Sequence, residues 1–279
     1  MYKGFSLNLN KHTLLKSTSA YSNILESRKD KIRMSLEKFI SSDGNIDGTA
    51  LSNEWFPDIG EIHVFISHSH QDLGLARMLA NWLYDNFRIK SFIDSEIWGY
   101  ADNLLKEIDN KYAKNTCGTT YNYDIRNQTT SHVHMMLSSA LNTMIDKSEC
   151  LIFLNTENAL RPSDYKDEDR TSSPWIMSEI HTSTIIRKNM IPGIREFTKT
   201  AGLEHYRSLN ESVMDATSPN IDYKVDISHL NKVFESTLLN WVNSSNKVDK
   251  GYYALTYLYN QSNGSNLSNI NKTSNELTF

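Results

Sequence analysis

The chain has 279 residues, enough for one large domain or for one domain with appendages. Apolar residues make up 39% and charged residues 22%, the balance of a folded globular protein rather than a disordered one. Lysine and arginine number 29 against 33 aspartates and glutamates, a formal charge of -4, so no basic excess points to nucleic acid or an anionic membrane.

Cys117 and Cys150 are the two cysteines, far apart and without CxxC spacing, which speaks against a disulfide framework and a cysteine-based zinc site. No run approaches the ~18–20 apolar residues of a membrane helix, and the N-terminal stretch lacks the apolar block of a signal peptide. A cytoplasmic location with no membrane contact is the expectation.

From Ser22 to Ile40, Ile24, Leu25, Ile32, Met34, Leu36 and Ile40 recur among charges at helical spacing, which predicts a helix. The breakers of SSDGNIDGT follow, and Trp55-Phe56-Pro57 precede the main domain. Residues 1–60 are therefore expected to form a helical extension. Ile62 to Ser67 is short, apolar and rich in β-branched and aromatic residues, as a buried parallel strand reads. Asp72 to Phe87 places Leu73, Ala76, Leu79, Ala80 and Leu83 on one helical face, and residues 88–93 read as the next strand, ending at Asp94. This β-α-β order implies a right-handed crossover and a parallel sheet.

EIWGYADNLLKEIDNKY reads as loop and short helix, and the polar, aperiodic AKNTCGTTYNYDIRNQTTS as an inserted loop. His134 to Lys147 has helical spacing, and Glu149 to Asn155 reads as a third buried strand. The charge run DYKDEDR is expected in a solvated loop. Ser173 then caps a helix that has Pro174 at its first position and continues to Ile186. Asn189 to Ile194 fits a fourth strand, and Leu230 to Val242 a helix with Val233, Phe234, Leu238 and Trp241 inward. These readings divide the chain into an extension at 1–60, an α/β domain at 61–200, a C-terminal helical extension at 201–260 and an Asn/Ser-rich tail at 261–279.

Four local matches in order, VFISHSHQD at 64–72, SFID at 91–94, SECLIFLNTENAL at 148–160 and SPWIMSEI at 173–180, resemble the TIR (Toll/interleukin-1 receptor) domain family. They span about residues 60–195; the N-terminal helical region and the part after about residue 200 have no counterpart in a minimal domain of that family, and the segment after the second strand, which begins with the family's loop at 94–102, is longer than a compact domain of that family needs. The resemblance implies a flavodoxin-like three-layer α/β fold with a central parallel sheet. It also implies an NAD glycohydrolase or ADP-ribosyl cyclase, with NAD as substrate and no resident cofactor. SPWIMSEI resembles the family's Ser-x-Trp-x-x-x-Glu helix, which makes Glu179 the catalytic carboxylate. Similar bacterial proteins of the Thoeris type produce a nucleotide signal in anti-phage defence. Self-association through TIR-TIR contacts and a phage-derived activator belong to that expectation.

The residues support part of this independently. Trp175 and Glu179 are four apart, so on a helix they share one face and one wall of a pocket. Breaking the nicotinamide-ribose bond develops oxocarbenium character that a carboxylate stabilises. A glutamate on an amphipathic helix is otherwise an ordinary surface residue, and a tryptophan ordinary core. Ser67, His68 and Ser69 at a strand's carboxyl end are candidates to hydrogen-bond ribose or phosphate, and Asp94 after the second strand is a further candidate to bind substrate. Trp98 and Tyr100 can stack on a base or on a neighbouring chain, or simply anchor their own loop. His63, His68, His70, His132 and His134 lack a carboxylate or cysteine completing a tetrahedral set, so no metal is expected. GxGxxG, P-loop and GxSxG motifs are absent from the sequence. Two other readings stay open: a non-catalytic TIR adaptor, and an enzyme resembling nucleoside deoxyribosyltransferases.

Overall fold

The computed structural model describes residues 1–9, 15–29, 35–98, 101–162, 169–186, 221–244 and 250–261. The chain opens on strand β1 (Lys3–Asn8), followed by helix α1 (Ala20–Lys29). The helix expected to run on to Ile40 does not do so. Ser35 caps a separate 3-10 turn, Leu36–Phe39, by accepting from the Glu37 N–H, and Ile40 is extended. Helix α2 (Gly48–Trp55) is capped by Asp47, which accepts from the Ala50 N–H.

Strand β2 (Val64–Ser67) is buried at every position, as expected of a parallel strand covered on both faces. A 3-10 turn (His70–Asp72) leads into α3 (Leu73–Phe87), whose inward face carries Leu75, Ala76, Leu79, Ala80 and Leu83. Arg88, in the left-handed region at φ 54°, ends that helix and turns the chain toward β3 (Ser91–Phe92). Two short helices, α4 (Asp94–Ile97) and α5 (Ala101–Ile108), and a π-type turn (Asp109–Ala113) follow.

Helix α6 (Tyr123–Lys147) is 25 residues long and begins inside the segment expected to be an inserted loop. Asn122 starts it, its side chain accepting from the Ile125 N–H, so one capping residue turns a polar, aperiodic stretch into helix. Strand β4 (Cys150–Leu154) is fully buried. Strands β5 (Arg161–Pro162) and β6 (Asp169–Thr171) flank a charge-rich stretch, and α7 (Pro174–Ile185) starts where expected, with Ser173 accepting from the Ile176 N–H. The expected fourth strand at 189–194 and the tail from 262 lie outside the described residues.

Strand β7 (Tyr223–Lys224) joins β5 and β6 in a small antiparallel sheet. Strand β8 (Asn231–Phe234) runs directly into α8 (Glu235–Ser244), so the first part of the helix expected over Leu230–Val242 is strand instead. Its residues are drawn into the sheet by parallel pairing with β1, which sets Phe5 opposite Asn231 and Leu7 opposite Val233. A last helical segment covers 252–261.

The protein is α/β, built on a parallel sheet of order β3-β2-β4-β1-β8. Residues 3–8 are therefore not part of a helical extension. They form an interior strand whose other neighbour is β4, with Phe5 opposite Ile152 and Leu7 opposite Leu154. The C-terminal part is equally integral. Tyr259 stacks on Phe5 at 5.9 Å, Trp241 stacks on Phe87 at 4.2 Å, and the Trp241 indole N–H donates to the Ala254 carbonyl at 3.0 Å. Helix α1 packs on α3 and α4, while α2, α5 and α7 pack on α6. No described helix is long and apolar enough to cross a membrane.

Because Phe5 is 1% exposed and bridges the sheet to the C-terminal helix, Phe5→Ala is expected to destabilise the fold by about 3–5 kcal/mol. Urea unfolding followed by circular dichroism checks this; a loss below about 1 kcal/mol, the scale of a surface change, would show that β1 is not a core strand.

Candidate active site at the carboxyl ends of the central strands

A parallel sheet gathers the carboxyl ends of its strands on one edge, and a crevice opens where consecutive connections leave in opposite directions. Here that point lies between β2 and β4, since the chain leaves β2 for β3 on one side, while the next strand of this sheet after β4 is β8, on the other side. Ser67 is the last residue of β2, His68 follows it, and Asp94 opens α4 immediately after β3. Glu179 arrives from α7, in the middle of the helix capped by Ser173.

The Ser67 hydroxyl donates to Glu179 Oε2 at 2.6 Å, both side chains buried, across 112 residues of sequence. Glu179 is only 4% exposed. Burial first, and the Asp94 charge second, push its carboxyl well above the ordinary range, against which the Ser67 hydrogen bond acts in the opposite direction. Burial in this way favours the neutral, protonated form of the carboxyl.

His68 connects the two halves of the site. Its Nδ1 faces the Ile66 carbonyl at 3.3 Å and Asp94 Oδ1 at 3.8 Å, and its Nε2 is 2.9 Å from Ser95 Oγ. Two acceptors beside Nδ1 assign the ring hydrogen there, leaving Nε2 of the neutral ring to accept from the Ser95 hydroxyl. Ser67, His68, Asp94 and Glu179 are thus brought together as expected.

The remaining candidates are placed differently. Ser69 occupies the cap position of the 70–72 turn, where its carbonyl accepts from the Asp72 N–H at 2.8 Å. Trp175, half-buried one turn before Glu179, meets the His134 ring edge-on at 5.7 Å. Trp98 is not a pocket wall: it is 3% exposed, packed against Phe92 at 4.7 Å and Phe56 at 5.9 Å. Of its two expected roles, the anchoring of its own loop is the one the packing satisfies, because an indole sandwiched in the core offers no free face for stacking. Tyr100 lies outside the described residues.

One constellation escapes the sequence reading. Buried Asp72 accepts from Thr156 Oγ1 at 2.5 Å and from Asn158 Nδ2 at 2.8 Å, tying the turn after β2 to the loop after β4. Asn155 ties that same loop to β1, its N–H donating to the Leu7 carbonyl at 3.0 Å and its side chain to Ser6 Oγ at 3.3 Å. The polar ends HSHQD and NTEN carry the only trace of these ties in the sequence. His63 belongs to the other end of β2, accepting from the Lys90 N–H at 2.8 Å and packed edge-on against Tyr252. Among the described residues no cluster of three or more histidine, cysteine, aspartate or glutamate side chains is suited to a metal ion.

In comparisons with known proteins, no family model, no curated protein and no solved structure matches this chain.

The buried carboxyl has a consequence for stability. Glu179 holds its proton to higher pH in the folded chain than in the unfolded one, so the folded state binds more protons between the ordinary value of 4.5 and the raised one. Stability then falls as pH rises through that window. Glu179→Gln, which keeps the shape and removes the titration, is expected to match the wild type at about pH 4 and to be the more stable of the two at about pH 8. Urea midpoints at the two pH values measure this, and a difference that does not grow with pH would contradict the assignment.

Proposed function

We propose that this chain is a TIR-type enzyme that cleaves the bond between nicotinamide and ribose in NAD, and that the ADP-ribosyl product serves as a signal in anti-phage defence. One observation carries the chemical part: a buried carboxyl, Glu179, hydrogen-bonded to Ser67 at the carboxyl ends of the strands where an α/β sheet binds ligands. The order β3-β2-β4 with parallel pairing supports the flavodoxin-like three-layer arrangement that the resemblance implies. The TIR reading itself rests on the four sequence matches, and the convergence of residues from each of them on one edge of the sheet supports it.

In this reading the cationic nicotinamide ring favours the ionised form of Glu179. As the C–N bond breaks, its electron pair goes to the ring nitrogen, neutral nicotinamide leaves, and positive charge develops on the ribose. The Glu179 carboxylate stabilises that charge in a site where water is scarce. Ser67 keeps the carboxylate oriented, and His68 with Ser95 sets the position of Asp94. The acceptor that captures the ribosyl cation, whether water, the adenine part of the same molecule or another nucleophile, decides between hydrolysis, cyclisation and conjugation. NAD is the substrate, self-association and a phage-derived activator are its expected modes of control, and the site calls for no resident cofactor.

Purified protein is expected to release nicotinamide from NAD, with product identity read by mass spectrometry. Glu179→Gln should lower the rate by about a hundred- to a thousandfold while circular dichroism stays unchanged. No release by concentrated protein supplied with phage-infected cell extract, or full activity in Glu179→Gln, would overturn the proposal.

A further inference from the structure

Among the described residues, two serine hydroxyls lie within hydrogen-bond reach of a histidine ring nitrogen, and their surroundings give them opposite characters. On α7, Ser183 Oγ is 2.7 Å from His229 Nε2, but this buried hydroxyl donates to the Ile180 carbonyl at 2.7 Å. Its proton is committed to the helix, so the His229 ring donates to it and the pair is a structural tie. Ser95, the second residue of α4, is half-buried, and among the described residues its hydroxyl has one partner, His68 Nε2 at 2.9 Å. No carbonyl or carboxylate takes its proton there.

The ring that faces Ser95 is held ready to receive that proton. His68 is buried, and its Nδ1–H points to the Ile66 carbonyl at 3.3 Å and lies 3.8 Å from Asp94 Oδ1, so Nε2 presents its lone pair to the hydroxyl. A hydroxyl on one nitrogen of a neutral imidazole, with a carboxylate beside the other, is the arrangement of an activated nucleophile. When the ring takes the proton it becomes a cation, which the Asp94 carboxylate and the Ile66 carbonyl stabilise. The electrophile follows from the neighbouring residue. Ser67, whose hydroxyl donates to Glu179 at 2.6 Å, and His68 are consecutive, with Cα atoms about 3.8 Å apart. The carboxyl that supports bond breaking and the hydroxyl that His68 activates are therefore held from adjacent positions at one strand end.

Resting on the NAD reading of the site, we propose that Ser95 is an acceptor of the ADP-ribosyl group, so that the protein modifies itself at this residue. The bond between nicotinamide and ribose breaks, its electron pair goes to the ring nitrogen, and neutral nicotinamide leaves. A bond forms between Ser95 Oγ and the ribose carbon, while the hydroxyl proton passes to His68 Nε2 and from there to solvent. The product is an O-glycoside of serine, whose alkoxide is a far poorer leaving group than nicotinamide, so the modification persists. With the group attached there the strand end is occupied, and each modification removes one protein molecule from turnover.

Purified protein is incubated with NAD under conditions that release nicotinamide, and its peptides are mapped by mass spectrometry with electron-transfer fragmentation, which preserves the ADP-ribosyl linkage. The expected result is an ADP-ribosyl group on Ser95, with nicotinamide release slowing as the modified fraction rises. His68→Gln should lower the ratio of Ser95 modification to nicotinamide release about a hundredfold, a ratio that a loss of folded protein does not change. Ser95→Ala should lose the modification, and the wild-type map decides the matter if that variant does not fold. Glu179→Gln should lose modification and release together, which separates self-modification from the action of another enzyme. Nicotinamide release with Ser95 unmodified, or an unchanged ratio in His68→Gln, overturns the self-modification and leaves the NAD reading standing. Absence of nicotinamide release overturns both.

Discussion

Strand β4 is paired in parallel on both sides, with β2 along Val64–Ser67 and with β1 along Lys3–Leu7, and most of the molecule follows from that double pairing. Parallel neighbours cannot be joined by a tight turn, so each connection must cross over the sheet, and a sheet built this way must be covered on both faces. The coverage is visible in the burial of every residue of β2 and β4. It draws on both ends of the chain, with α1 against α3 and the 252–261 segment carrying Leu255, Leu258 and Tyr259 into the core.

The same parallelism decides where chemistry can occur. All carboxyl ends fall on one edge, so Ser67, His68, Asp94 and the loop after β4 become neighbours however far apart they lie in sequence. Loops at such an edge are held apart from solvent only if something ties them. The Asp72 carboxylate, accepting from both Thr156 and Asn158, and Asn155, donating to β1, supply those ties. Charge-assisted hydrogen bonds of the first kind are about twice as strong as neutral ones, which suits them to fixing one loop against another. Burying Glu179 works against the stability that these contacts provide, an arrangement typical of sites where a titrating group is set by its surroundings.

Much of this was legible in the residues themselves, where a pattern was local. Strands β2 and β4 declare themselves as apolar, β-branched runs, α3 by its period, and α7 by Ser173 and Pro174 at its start. Strand β1 was not legible. KGFSLN alternates small, apolar and polar residues over six positions, and it is a strand because β4 and β8 flank it from more than 140 and 220 residues away. NKVF likewise lies against a helix with no break between them, so the period of α8 absorbs it until the pairing with β1 is known. Polar AKNTCGTTYNYDIRNQTTS concealed the helix that Asn122 begins, because a cap is one residue and the apolar spacing resumes only later. At the site, Ser67, His68, Asp94 and Glu179 each sit in a recognisable local pattern. Asp72, Thr156 and Asn158 lie within such patterns too, but their mutual hydrogen bonds were not legible, because those depend on two loops meeting.

Trp98 shows how an aromatic residue can serve a site without touching a ligand. Helix α4 is a single turn, too short to be stable on its own. It is closed by the Trp98 N–H donating to the Asp94 carbonyl at 2.6 Å, and the Trp98 ring is gripped by Phe92 of β3 and by Phe56 beyond α2. The backbone of Asp94 is therefore fixed at both ends, by β3 before it and by a core indole after it. Its carboxylate is left beside His68, 3.8 Å from the ring Nδ1. A solvent-exposed tryptophan in this loop would offer a stacking surface and give up that anchorage. The core position gives a weaker claim on the substrate and a stronger one on where the Asp94 carboxylate sits beside His68.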